Sequence, residues 1–134
     1  MESLGSNFLN LLSGNMDIER INRWNRFIED ICFKNLDDLN KIQRMAVLCF
    51  WYDSEMNSGG FSGYKDCYPD TDPEELRNAL MQVGTQDIAD NYLEASTIGE
   101  DDGWEKTDKE YYDLTPSLDD CLKEFVEKNK NDIF

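Results

Sequence analysis

Apolar positions recur at intervals of three and four along most of the chain, and no segment shows convincing alternation in twos. Ile18, Ile21, Trp24, Ile28 and Ile31 fall on one helical stripe, widened by Phe27, behind Asp17 as N-cap. The polar face of that helix carries Arg20, Arg23 and Arg26, the only basic cluster, which either stays solvated or pairs with an acidic neighbour. A second helix is expected from Asp37 or Asp38 to about Met56, with Leu39, Ile42, Met45, Ala46, Cys49, Phe50 and Asp53 on one face. Its unbroken apolar run from Met45 to Tyr52 suits a central helix packed on more than one side.

That helix should stop at Asn57-Ser58-Gly59-Gly60, where Asn and Gly tolerate the positive φ of a helix C-terminus. Phe61 and Tyr64 would then fold back for one or two turns, followed by a loop from Lys65 to Asp72. Thr71, Pro73 and Glu74 read as a capping box with proline in the first turn, opening a helix of Leu76, Ala79, Leu80 and Val83 that ends at Gly84. Thr85 or Asp87 caps the next, built on Ile88, Ala89, Tyr92, Leu93 and Ala95 and terminated by Gly99. An acidic linker, Glu100 to Gly103, leads to Trp104 and the Tyr111–Tyr112 pair. Thr115-Pro116 opens a last helix with Leu118, Cys121, Leu122, Phe125 and Val126 buried. The expected architecture is all-α: a compact single-domain bundle of five or six helices over residues 1–134, with little or no sheet. Residues 1–16, rich in Ser, Asn and Gly around Phe8, Leu9, Leu11 and Leu12, read as an N-terminal arm.

Charge changes what this bundle is for. The 134 residues carry 29 Asp/Glu against 13 Lys/Arg, a net charge of -16. Residues 1–65 hold nine acids and seven bases, whereas residues 66–134 hold twenty acids and six bases. Self-repulsion of this size opposes compaction, so the acidic half asks for a reason. Nucleic acid and anionic membranes require Lys/Arg clusters, and so neither is expected as a direct partner. The chain contains no histidine, the commonest acid–base group at neutral pH and the usual nitrogen ligand of zinc. Cys32, Cys49, Cys67 and Cys121 lie far apart without a CxxC pair, and Cys32 and Cys49 sit in apolar patterns as small hydrophobes. Without an apolar run long enough to span a bilayer or a secretory leader, a cytoplasmic location is expected.

Catalytic and cofactor chemistry finds little support. Gly59-Gly60-Phe61 lacks the GxGxxG pattern and the Lys-Ser/Thr ending of phosphate loops. Asp66, Asp70, Asp72 and Glu74 bunch together without a glycine-centred twelve-residue calcium loop, leaving only weak divalent binding near residues 66–74. Asp53 and Glu55 end an apolar helix, where Asp53 fits a hydrogen-bonding or capping role better than acid–base work. No cofactor and no catalytic residue is assigned.

The acids themselves are patterned. Asp87, Asp90 and Glu94 are spaced by three and four on one helix, and Asp120, Glu124 and Glu127 repeat the arrangement on the last. At ~1.5 Å rise per residue these carboxylates stand roughly 4.5 and 6 Å apart along the axis, comparable with the ~3.4 Å rise per phosphate of a DNA strand. Such rows suit the basic face of a DNA-binding protein, with electrostatic steering of the encounter.

One segment is more specific. Glu55-Met56-Asn57-Ser58-Gly59-Gly60-Phe61-Ser62-Gly63-Tyr64 resembles the E-x-N-N-G-G-F-x-Q-[YF] signature of a family of small acidic bacterial proteins that includes a neisserial DNA-mimic protein. The likeness continues through Leu76, Ala79-Leu80, Val83-Gly84, Ala89, Leu93 and Ala95, and covers roughly residues 20–128. Ser58 and Gly63 depart from the usual Asn and Gln. The resemblance implies an all-helical, often dimeric fold and, for the DNA-mimic member, sequestration of a helix-turn-helix repressor. Glu55, Asn57, Gly59, Gly60, Phe61 and Tyr64 are then expected to build a structural turn, with Glu55 and Asn57 satisfying exposed amides and Phe61 closing the core. The leading expectation is a non-enzymatic acidic binding protein directed at a basic DNA-binding protein. An immunity-type inhibitor of a basic toxin is the alternative, and a carboxylate- or metal-dependent hydrolase a third.

Overall fold

The structure, a computed structural model, describes residues 17–134; the N-terminal arm expected through Met16 lies outside them. The described residues are helical with no strand among them. Helix α1 (Ile18–Arg26) begins where the Asp17 carboxylate accepts from the Glu19 amide at 3.0 Å, and it continues into a π-helical turn, Phe27–Ile31. Phe27 is fully buried, but Ile18 and Ile21 remain exposed, so only the second half of the expected stripe reaches the core. Helix α2 (Lys41–Met56) starts later than expected. Asn40 and Gln43 cap it reciprocally, at 2.8 and 2.9 Å, while the Asp37–Asp38 region forms a separate 3-10 turn, Leu36–Asp38.

Helix α3 (Gly60–Cys67) runs just over the one or two turns foreseen and takes the first three residues of the expected loop. Helix α4 (Pro73–Val83) is capped by Asp72, which accepts from the Glu74 amide at 3.1 Å, and not by Thr71. Thr85 caps α5 (Gln86–Thr97), bonding the Ile88 amide at 3.2 Å. A 3-10 turn, Gly99–Asp102, leads into α6 (Glu105–Asp113). Ser117, downstream of the expected Thr115, caps α7 (Leu118–Lys128), and a single turn, α8 (Lys130–Ile133), ends the chain.

The described residues therefore hold eight α-helices, not the five or six expected. The largest omission is α6. Its sequence, EKTDKEYYD, carries only two apolar positions, adjacent to each other, so no three-four stripe exists to be seen. Tertiary packing supplies what periodicity does not, because Thr107 and Tyr111 are both buried.

Helix α2 lies at the centre and packs against α3, α4 and α7. Tyr52 is fully buried, and the rings of Phe61, Tyr64, Tyr92 and Tyr111 meet it near edge-on at 4.9–6.4 Å between centroids. Each such pair adds about 0.5–1.5 kcal/mol beyond the area it buries. Burial pushes the Cys32 thiol up to about 12, in line with an inert buried residue.

The basic face of α1 is not left in water. Arg23 makes a forked pair with Glu127 at 2.6 and 2.8 Å, and Arg20 reaches Glu124 at 2.9 Å, tying α1 to α7. The Arg23 guanidinium holds the Glu127 carboxyl below its ordinary value. A depressed carboxyl contributes stability above its ordinary range and loses it as pH falls through the folded value. Glu127→Gln should accordingly speed hydrogen exchange of the α1 amides at neutral pH, and acidifying the parent protein below pH 4.5 should approach the same behaviour. Equal α1 protection in both proteins at neutral pH would show that the fork does not hold the helix.

Candidate functional site

The signature segment is a corner fixed from within. Asn57 ends α2, and its side-chain amide donates to the Asp53 carbonyl at 2.9 Å. Gly60 has φ +70°, a conformation open to glycine, and a Cβ there would run into the Asp108 carboxylate of α6. The Asp108 Oδ1 atom accepts from the Phe61 amide at 3.2 Å, tying the first turn of α3 to α6. Burial raises the Asp108 carboxyl above its ordinary value, and that amide bond opposes the shift. Phe61 and Tyr64 are buried against Tyr52, whereas Gly59 is exposed. Glu55 serves the turn through its backbone, its carbonyl accepting from the Ser58 and Gly59 amides at 3.0 and 2.8 Å, and not through its side chain. Its carboxylate lies instead beside Gly63, where a Cβ would stand at an ordinary 3.4 Å from Oε1.

The carboxylates beneath this corner are structural as well. Asp53 is buried and accepts from the Tyr111 hydroxyl, and the Tyr112 hydroxyl donates to the Met56 carbonyl at 2.5 Å. Burial raises the Asp53 carboxyl, with the Tyr111 bond acting in the opposite direction. Two aromatic residues of α6 thus secure the last turn of α2.

The two acidic rows differ in their surroundings. On α7, Asp120 and Glu124 are exposed and Glu127 is half-buried, and the last two belong to the α1 clamp. On α5, Asp87 and Asp90 are exposed and Glu94 is half-buried. Those three line an open cleft of about 400 Å³ whose far wall is Glu110 and Asp113 of α6. Lys106 sits 2.7 Å from Glu94 and 3.3 Å from Glu110, and Arg77 lies 3.7 Å from Asp90. Among the described residues no Lys or Arg comes within pairing distance of Asp87 or Asp113. Negative charge is therefore in surplus in the cleft.

A family model matches residues 37–129, more than half of the chain and including the signature corner, the cleft and the α7 row. The chain belongs to the DMP19-like protein family. No curated protein and no solved structure matches it. Membership of the DMP19-like family is consistent with a non-enzymatic, DNA-mimicking binding role. Among the described residues, no group of three or more Cys, Asp or Glu side chains is disposed to hold a metal ion, the Asp66–Glu74 stretch included. No helix among them is long and apolar enough to cross a membrane.

Sequence reading found the α5 row but missed Glu110 and Asp113, because they sit on the helix whose charge hid its periodicity. Their spacing of three was the available signal. It also missed an aromatic hollow of about 280 Å³ between α3 and α5, lined by Tyr64, Tyr68, Tyr92 and Trp104.

Proposed function

We propose that this DMP19-like protein is an acidic binding protein, without catalytic activity, whose α5–α6 face takes the place of nucleic acid on a basic DNA-binding protein. The observation that carries the reading is the α5 row of Asp87, Asp90 and Glu94, which Glu110 and Asp113 extend into one acidic cleft with more carboxylates than internal cations. A partner's Lys/Arg face would gain Coulomb energy there, and long-range steering would raise its on-rate. The exposed acids Asp120 and Glu124 of α7 form a secondary row in this reading, weakened by Arg20.

Acids gathered around an aromatic knob of Trp104, Tyr111 and Tyr112 would favour the toxin-inhibitor alternative instead. Tyr111 is buried and so cannot join such a knob, whereas Tyr112 is exposed with its hydroxyl bonded to the Met56 carbonyl, and the half-buried Trp104 indole donates to the Ala95 carbonyl at 2.9 Å.

The test is capture from native cytosol at low and at high salt, with the parent protein and with Asp87→Asn, Asp90→Asn, Glu94→Gln combined. A DNA-binding protein should be held at low salt, released by its own operator, and bound about ten-fold more weakly by the triple variant. Each charged contact removed typically costs about 0.2–1 kcal/mol at an exposed surface, so three together give a loss of about this order. A captured protein that ignores both the salt and the triple substitution would defeat the acidic-face reading.

A further inference from the structure

We infer that the aromatic hollow between α3 and α5 is a binding site for a small quaternary-ammonium compound, with Lys65 as its built-in competitor. The hollow shares no lining residue with the α5–α6 cleft and so does not depend on the proposed partner binding.

The walls are aromatic and fixed. The half-buried rings of Tyr68 and Trp104 line the hollow, and the nearly buried Phe61, Tyr64 and Tyr92 form its base. Phe61 joins this set, its ring centroid lying 5.8 Å from Trp104, 6.0 Å from Tyr92 and 6.1 Å from Tyr64. Trp104 takes a left-handed backbone, φ +65°, which is rare for a bulky residue, and its indole N–H donates to the Ala95 carbonyl at 2.9 Å. Gly99 makes room for the ring, since a Cβ there would run into the indole. The indole is thus held in place, and Lys65, which also lines the hollow, sets its ammonium over that ring at 4.9 Å from the centroid.

That contact indicates the sign of the ligand. The face of an aromatic ring carries partial negative charge and draws cations. At the rim, the hydroxyls of Ser96 and Thr97 already donate to the Leu93 carbonyl at 3.0 and 2.8 Å, so toward a ligand they only accept, and Glu100 adds a carboxylate. An anion would meet this rim and a net charge of -16. A bare ammonium holds its water strongly and is served as well by any surface carboxylate, whereas methyl groups on the nitrogen exchange that hydration for contact with aromatic surface. A volume of about 280 Å³ accommodates a trimethylammonium head with a short tail. Lys65 is exposed on a long stem, so its ammonium can swing aside as the ligand enters.

The test titrates choline chloride, and separately dimethylbutanol, its uncharged isostere with carbon in place of nitrogen, into the isotope-labelled full chain at constant ionic strength, followed by NMR. Choline should shift the Trp104 indole N–H and the backbone amides of Ser96, Thr97 and Glu100 saturably, about ten-fold more tightly than the isostere. Lys65→Met keeps a long unbranched side chain and removes the competing charge, and should tighten choline about three-fold. Glu100→Gln should loosen it by about the same factor. Equal affinity for choline and the isostere would make the hollow a plain apolar pocket and overturn the site, as would choline affinity unmoved or weakened by Lys65→Met. Shifts that fall on Asp87, Asp90 and Glu94 in place of the hollow would mean diffuse attraction to acids, and overturn it too. The combined α5 variant, with those three acids neutralised, should bind choline as the parent does, so loss of the captured partner and loss of this site are read separately.

Discussion

Gly60→Val should be among the most damaging single changes on the surface of the core, lowering stability by about 3–4 kcal/mol. Two separate costs add at this position. The left-handed backbone, φ +70°, is unfavourable to any residue with a Cβ by about 1–2 kcal/mol, and more for a β-branched one. The new Cβ would also meet the Asp108 carboxylate, which must move and so release the Phe61 amide at the start of α3. Gly103 separates the costs, because its φ is +68° and nothing lies within 4 Å of a Cβ there. Gly103→Ala should therefore report backbone strain alone, about 1 kcal/mol, and Gly60→Ala should exceed it. Gly63→Ala, with an ordinary contact, should be close to neutral. Urea unfolding of the four variants checks the order, and a Gly60→Val no weaker than Gly103→Ala would remove Asp108 from the account of the corner.

The corner and the bundle were legible to different degrees for physical reasons. Helices with an apolar stripe and a cap, such as α4 and α5, were visible because burial and local hydrogen bonding agree along the sequence. Their exact starts moved by one residue where a competing cap was adjacent, as with Thr71 and Asp72. The α3 helix was half seen, since Gly60 and Gly63 depress helical propensity and only the packing of Phe61 and Tyr64 sustains it. Helix α6 was invisible for the opposite reason. Its residues are adequate helix formers, but its charges mask which side faces in.

The same blind spot fell on the candidate site. A row of acids at helical spacing can be read from the sequence, and the α5 row was. What the sequence does not contain is the second wall, because Glu110 and Asp113 come opposite α5 only after the Gly99–Asp102 turn reverses the chain. Nor does it say which acids are already partnered. Arg20 and Arg23 looked like a solvated basic face or a pairing one, and only the approach of α1 to α7 makes them a clamp on Glu124 and Glu127. Net charge is thus a poor guide to the available surface, and the surplus after internal pairing is the better one.

Tyr111→Phe is expected to cost about 2–3 kcal/mol at neutral pH, although it removes a single oxygen and keeps the buried ring. The hydroxyl is the donor to the Asp53 carboxylate, which is 9% exposed. Burial already raises the Asp53 carboxyl, and the Tyr111 bond is the largest influence acting the other way. Taking the donor away leaves a desolvated charge with less to hold it, which is far more costly than losing a hydrogen bond in water. The sign with pH follows from the raised value. A carboxyl whose folded pKa is raised contributes its stability below the ordinary value of 3.8 and loses it as pH rises through the folded value. The Phe variant raises that value further, so its deficit should be largest at neutral pH and should shrink as Asp53 protonates on acidification. Asp53→Asn keeps an acceptor oxygen for Tyr111 while removing the charge, and should leave stability at neutral pH unchanged or improved. In that background Tyr111→Phe should cost only about 1 kcal/mol, the worth of a neutral hydrogen bond. Urea unfolding of the four members of this cycle at neutral and acid pH measures the coupling directly. A Tyr111→Phe deficit that is the same in both backgrounds and at both pH values would mean that the carboxylate is not what the hydroxyl stabilises.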